Sequence, residues 1–188
     1  MVKSNIPGCG NFYHHYPSHA AVITAQFEGK KGIMAAAWHS PISHTPPLFG
    51  VSLAPKRYTY KLIEKAKEFA INFLSFDKAE LLVSVGSVSG AEVDKYKRFD
   101  IKTEEPIKTT APIISDAYAA YECRLIDSRK YGDHIWLVGE IVATHFDKAL
   151  FNEDETVDLD HVSPVLYMGA DRYTIPSNAD IKMIERSK

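Results

Sequence analysis

The chain has 188 residues, 45% of them apolar and 24% charged, enough to bury a core without metal or disulfide support. Basic and acidic side chains nearly balance, 22 against 24, which excludes the basic excess of a nucleic-acid or membrane-surface protein. The two cysteines, Cys9 and Cys123, lie far apart and exclude a zinc ribbon, a thioredoxin motif or a disulfide scaffold.

The opening residues carry no apolar signal-type region, and no later segment approaches about 18 unbroken apolar residues. The expectation is a cytoplasmic protein with no membrane or nucleic-acid partner, folded as a single domain over 1–188. Residues 20–27 (AAVITAQF) read as a strand that ends in a hairpin turn at Glu28-Gly29-Lys30. Residues 33–39 would return antiparallel, although their alanines also support a helix. Residues 48–54 form a third strand, entered through Pro46-Pro47 and left at Pro55. A helix is predicted over 59–69, with Leu62, Ile63, Ala66 and Phe69 on one face. Residues 69–74 read as a fourth strand, 78–85 as a second helix and 90–96 as a short third.

Over 118–126, Tyr121, Cys123 and Leu125 fall on one strand face while Glu122 and Arg124 fall on the other. A polar turn at 128–132 leads to a partner strand over 133–146. Residues 152–160 are acidic and read as a solvated loop, and 164–168 as an edge or closing strand. Many strands and few helices predict a mainly β fold: a closed antiparallel barrel with helical additions, since closure removes exposed edges.

Three places could carry chemistry. Pro55-Lys56-Arg57-Tyr58-Thr59 runs from a strand end into a helix start, with Thr59 as a suitable N-cap. Cations just ahead of free helix N–H groups suit a phosphate, and arginine matches phosphate oxygens with paired donors. An ordinary helix cap with two solvated cations explains the same residues. The run Ala35-Ala36-Ala37-Trp38-His39-Ser40 would let a planar ligand approach the backbone, with Trp38 beside it or simply filling the core. Gly132-Asp133-His134 places a carboxylate and an imidazole at a turn, where histidine could orient a reactive ring. A turn entering a strand accounts for it equally. No phosphate-binding P-loop, dinucleotide fingerprint, nucleophile elbow or H-E-x-x-H motif is present. His14, His15 and His19 lack a recognised metal-ligand spacing and read as surface histidines. Cys123, on the apolar strand face, reads as a buried, inert thiol.

Several of these pieces recur in a fixed order. After V-I-T-A comes the small-residue run ending in Trp38, then Ser43-His44-Thr45-Pro46-Pro47-Leu48, then V-S-L-A-P-K-R-Y-T-Y-K-L-I and F-A-I-N-F-L-S. Asp94-Lys95-Tyr96, A-P-I-I, Gly132-Asp133-His134 and Val138-Gly139-Glu140-Ile141 follow. In this order and spacing, from about residue 17 to 173, the sequence resembles the flavin reductase-like family of FMN-binding split barrels, which includes the flavoredoxins.

The resemblance implies a homodimer of split β-barrels of Greek-key type, each with FMN near the subunit interface. Ala36, Ala37, Trp38, His39 and Ser40 would border the isoalloxazine ring. Ser52, Arg57, Tyr58 and Thr59 would hold the ribityl phosphate, Leu53 and Ala54 would belong to the same FMN site, and Lys95, of this subunit or its partner, would stand near the flavin. His134 would serve nicotinamide binding and hydride transfer. The implied activity is hydride transfer from NAD(P)H to bound FMN and on to a small acceptor such as free flavin or ferric iron. Trp38-His39 stands where many such reductases carry small polar residues. This favours comparison with the flavoredoxin branch, electron carriers with permanently bound FMN and a protein donor or acceptor.

Overall fold

The computed structural model describes residues 2–177 together with 181 and 182; the last residues of the expected domain, 183–188, lie outside these. In chain order the elements are β1 (Ser18–His19), β2 (Ala21–Phe27), β3 (Lys30–Ala36), β4 (His39–His44), β5 (Pro47–Leu53), α1 (Tyr58–Ala66), β6 (Glu68–Leu74) and α2 (Ala79–Ser87). There follow α3 (Lys95–Arg98), β7 (Thr103–Glu104), β8 (Ile113–Ile114), β9 (Ala117–Tyr131), β10 (His134–Phe146), β11 (Leu166–Gly169) and β12 (Arg172–Thr174). No helix among the described residues is long and apolar enough to cross a membrane.

Seven strands form one antiparallel sheet in the order β3-β2-β6-β9-β10-β5-β4. Its two edge strands, β3 and β4, are consecutive in the chain and joined only by Ala37 and Trp38. The sheet therefore rolls until its edges meet at this link, with no ladder between them. The Ser52 N–H donates to the Trp38 carbonyl at 2.8 Å and ties the link to β5. The closed barrel expected from strand count is thus a barrel split along one seam. The reason is local: the expected strand over 33–39 breaks at Ala37-Trp38, so the chain passes from one sheet edge to the other.

Strand β2 shows why the sheet is buried on both faces. Side chains alternate along a strand, and here both sets are apolar. Ala21, Ile23 and Ala25 enter the main core with Val51, Ile71 and Leu137, while Val22 joins Ile33, Leu74, Leu82 and Val165 beneath α2. Strand β6 repeats the pattern. Phe69, Ile71 and Phe73 point into the main core, each apolar side chain of this size contributing roughly 1.5–3 kcal/mol on burial. Asn72 points the other way and is fully buried. Its Nδ2 donates to Val22 O and Thr24 Oγ1, and its Oδ1 accepts from the Ile114 N–H at 2.9 Å. Gly139 has no Cβ because one there would lie 2.6 Å from Phe69 Cζ and 2.7 Å from Cys123 Cβ.

Several boundaries differ from the sequence expectation. Helix α1 stops at Ala66, where Lys67 adopts a left-handed conformation and its N–H closes on Ile63 O; Phe69 belongs to β6. The third helix is only Lys95–Arg98, started by Asp94, whose side chain accepts from the Lys97 N–H. Strands β9 and β10 run on past the expected polar turn to Tyr131 and His134, leaving Gly132 and Asp133 at the bend, with Gly132 at φ +61°. The last expected strand is central rather than an edge: β11 lies between β1 and β12 in a separate three-stranded sheet.

Glu122, on the polar face of its strand by sequence, is completely buried. Its carboxylate accepts from the N–H groups of Ile107, Lys108 and Thr109, the Thr109 hydroxyl, and His145 Nε2 at 2.6 Å. Burial opposes its ionisation, but donation from His145 and the loop amides outweighs that and holds the carboxyl at about 2. Cys123, on the opposite face, is buried, and burial raises its thiol far above the usual range.

Candidate functional site

Pro55 ends β5 and α1 begins three residues later. Arg57 occupies the N-cap position with extended backbone, and no side chain caps the helix. Thr59 is not the cap expected from sequence; it sits inside the first turn and is buried. The first N–H groups of α1 are left without an intrahelical acceptor, at the positive end of the helix. Lys95 approaches this end from α3. Its Nζ donates to the carbonyls of Ile33, at 3.0 Å, and Val85. Burial, then the neighbouring Arg57 charge, lowers Lys95 to about 8. Together Arg57, Tyr58, Thr59 and Lys95 line a cleft of about 360 Å³, completed by Ser87 and Ser89 after α2.

A second cavity of about 310 Å³ adjoins the first and shares Met34, Ala35 and Arg57 with it. Its walls are Ala36, Ala37, Trp38 and Ala54 along the seam, together with Tyr16, Tyr167, Tyr173 and the partly exposed His134. Trp38 Nε1 donates to the Tyr16 hydroxyl at 2.9 Å. The Trp38 and His134 rings lie 4.8 Å apart, tilted by 45°. His134 Nδ1 donates to Asp133 Oδ1 at 2.7 Å, and this contact in turn holds the Asp133 carboxyl below its ordinary range. An ionised carboxylate only accepts, so the bond fixes the proton on Nδ1.

The structure thus brings together Ala36, Ala37, Trp38, Ala54, Arg57 and His134 at one lobe, and Arg57, Tyr58, Thr59 and Lys95 at the next. Four expected site residues line neither lobe. Leu53 is buried in the main core. Ser52 contributes its N–H to the Trp38 link. Ser40 is exposed and donates to Pro41 O. His39 turns to the other side of its strand, where its Nε2 meets His19 O at 2.9 Å. His14 and His15 are exposed, but His19 is not the surface histidine expected: it stacks on Phe73 at 4.9 Å, and burial followed by the His39 charge lowers it to about 4. Ser87, Ser89 and the three tyrosines were not anticipated. The Ser87-Val88-Ser89-Gly90 break after a helix was a usable sign of a polar loop, whereas the tyrosines converge from both chain ends without local pattern.

The donor set suits a planar group ending in a phosphate. One lobe offers small side chains, rings and strand-edge backbone; the other offers three cations, Lys56, Arg57 and Lys95, four hydroxyl-bearing side chains and a helix N-terminus. A split antiparallel barrel with such a groove on its seam defines the class of flavin-binding split barrels. The chain belongs to the flavin reductase-like family, its residues 13–176 matching the flavin reductase like domain. It is similar to the FMN-binding protein of Thermus thermophilus, solved with bound 1-cyclohex-2-enone, at 34% identity and a TM-score of 0.84, covering 97% of this chain and 98% of that one. Flavoredoxin from Methanosarcina acetivorans is 25% identical with a TM-score of 0.83, over 98% of this chain and 94% of that one. An uncharacterized protein of Aeropyrum pernix is 34% identical over 162 residues, 84% of this chain; the match spans only 59% of that protein's length.

Proposed function

We propose that this protein is an FMN-dependent oxidoreductase that takes a hydride from NADH or NADPH and passes the electrons to a small acceptor such as free flavin or ferric iron. The observation that carries the reading is the continuity of the two lobes, one suited to a planar ring and the other to a phosphate. When bound, FMN supplies a ring that accepts a hydride and returns electrons singly or in pairs. The chain supplies placement. Ala35, Ala36 and Ala37 let the strand backbone approach the ring, and Arg57, Lys95 and the N–H groups of α1 hold the phosphate. His134, fixed by Asp133, orients the nicotinamide at the rim, and Trp38 shields the same side from water. His39, Ser40, Ser52 and Leu53 act behind this surface, by shaping β4 and β5.

The reading includes a homodimer. Trp38, Phe12, Ile42 and Met168 are exposed large apolar side chains, and a second copy set over the seam would cover such surface. Two free cysteines agree with a reducing, cytoplasmic setting. A second reading has its own observation: the Trp38–His134 contact already occupies the rim where a nicotinamide would stack. That arrangement favours a flavoredoxin-like carrier with permanently bound FMN and a protein donor or acceptor.

Anaerobic addition of NADH or NADPH to the FMN-loaded protein separates the two. Bleaching of the flavin spectrum within seconds, with repeated turnover, supports the reductase; bleaching by a chemical reductant alone supports the carrier. Protein that takes up no FMN refutes both. The variant His134→Ala is expected to keep FMN bound and to slow reduction by NAD(P)H, and an unaltered rate makes His134 structural.

A further inference from the structure

We propose that a second ligand site lies where β4 meets the main core, and that it takes an uncharged planar ring compound carrying a hydroxyl group, a phenol or naphthol. The site is separate from the flavin groove: its cavity, of about 680 Å³, shares no lining residue with the ring lobe or the phosphate lobe. Its walls include His19, His39, Phe49, Phe73, Tyr121 and Ile42. No lysine, arginine, aspartate or glutamate lines it, whereas Arg57 lines both lobes of the groove. A charged occupant would lose its water there without meeting a counter-charge, so the cavity selects neutral molecules.

Two imidazoles supply the specificity, and neighbouring groups fix their protons. The Tyr118 hydroxyl lies 3.2 Å from His19 Nε2, and no other acceptor takes its proton among the described residues. It therefore donates to Nε2, which leaves the His19 proton on Nδ1. His39 Nε2 lies 2.9 Å from the His19 carbonyl. A carbonyl only accepts, so the His39 proton is on Nε2 and its Nδ1 is a bare acceptor. Burial lowers both rings, with the His39 charge adding to the effect at His19 and the His19 carbonyl opposing it at His39. Both are thus neutral at neutral pH.

Neither Nδ1 bonds to a protein group among the described residues. The rings are held by stacking, His19 on Phe73 with centres 4.9 Å apart and His39 on Phe49 at 5.7 Å. The two imidazole centres are 6.1 Å apart, so one oxygen set between them can accept from His19 and donate to His39. A hydroxyl does both at once. Phe49, Phe73 and Tyr121 then receive the ring that carries it, in the manner of a mostly apolar pocket with a few fixed polar groups. A water molecule would satisfy the two nitrogens but leave those apolar walls uncovered.

The test titrates the whole protein, FMN-free and FMN-loaded, with 2-naphthol in a calorimeter at neutral pH. Naphthalene-2-sulfonate, with the same rings and a fixed negative charge, is run beside it. One 2-naphthol per chain is expected, with the sulfonate roughly tenfold or more weaker for want of a counter-charge. FMN should change the naphthol constant by no more than about twofold, and the FMN-free arm reads the site whether or not the flavin reading holds. His39→Phe keeps a ring against Phe49 but has no lone pair. It should weaken 2-naphthol roughly twofold to tenfold, the scale of one neutral hydrogen bond. Nitrogen-15 NMR of the histidine-labelled wild type locates the ligand without a variant, since the His19 and His39 Nδ1 signals should move as 2-naphthol is added. No binding, equal binding of the sulfonate, displacement by FMN or an unchanged constant in His39→Phe overturns the site. Signals that move on dilution of the protein and not with 2-naphthol also overturn it, and give the cavity to a second copy of the chain.

Discussion

Arg57→Ala separates the phosphate lobe from the stability of the fold. The Arg57 N–H donates to Ala54 O at 3.0 Å, and its carbonyl accepts from the Lys61 N–H at 3.3 Å; alanine keeps both. The side chain does not cap α1, and its charge repels Lys95. Truncation therefore leaves folding stability unchanged or slightly raised. The binding effect is larger. A charge-assisted hydrogen bond is worth roughly 1.5–3 kcal/mol, which converts to about a tenfold to hundredfold weaker FMN dissociation constant. Relief of the repulsion lets Lys95 hold its proton more firmly and offsets part of the loss, so the lower half of that range is expected. Quenching of FMN fluorescence gives the constant, and thermal unfolding of the FMN-free protein gives the control. A dissociation constant within about twofold of the wild type, or a fall in Tm that accounts for the weaker binding, refutes the assignment.

A bound dianionic phosphate favours the charged form of Lys95, so above a pH of about 8 binding must take up a proton. FMN affinity should then be flat below that pH, fall as pH rises through it, and lose this dependence in Lys95→Gln; a flat wild-type profile contradicts the placement. Glu122 is depressed in the fold to about 2 from 4.5, so its ionised form contributes stability that is complete above 4.5 and drains away as pH falls toward 2. Its scale is about 3 kcal/mol. Urea midpoints of Glu122→Gln should trail the wild type at neutral pH and converge with it in acid; a gap independent of pH points to packing instead. Gly139→Ala drives a methyl into Phe69 and Cys123 and should cost roughly 1–3 kcal/mol in denaturant stability, with none of that loss implying a catalytic role.

Short apolar runs bounded by Pro, Gly and polar turns made β2, β5 and β6 readable, because these strands are buried along most of their length. Strand β4 escaped because HSPISH has no apolar run and contains Pro41; an edge strand tolerates a proline that an interior strand would not. The end of α1 was hidden because Lys67, not glycine, takes the left-handed position. Arg57 was visible as a cation between a strand-ending proline and a helix. Lys95 was visible only through the family pattern, since its burial depends on carbonyls of β3 and α2 that are 62 and 10 residues away. Glu122 and His19 misled for one reason. Local polarity suggests solvent, but a loop 13 to 15 residues upstream covers the glutamate, and Phe73 and Tyr118 cover the histidine.

The seam at Ala37-Trp38 has a consequence for how this protein's sequence can drift. Strand β3 has a ladder partner on one side only, so alternate peptide groups along it have no strand opposite them; one, the Ile33 carbonyl, accepts from Lys95 Nζ instead. Recognition written in peptide groups survives most side-chain exchanges. An alanine scan of 35–37 would return a blank, because those positions are already alanine. Proline at the same positions deletes an N–H and fixes the backbone, and it would expose what the scan conceals. Random substitution can therefore alter the rim around Trp38 and His134 while the backbone bed beneath is inherited intact.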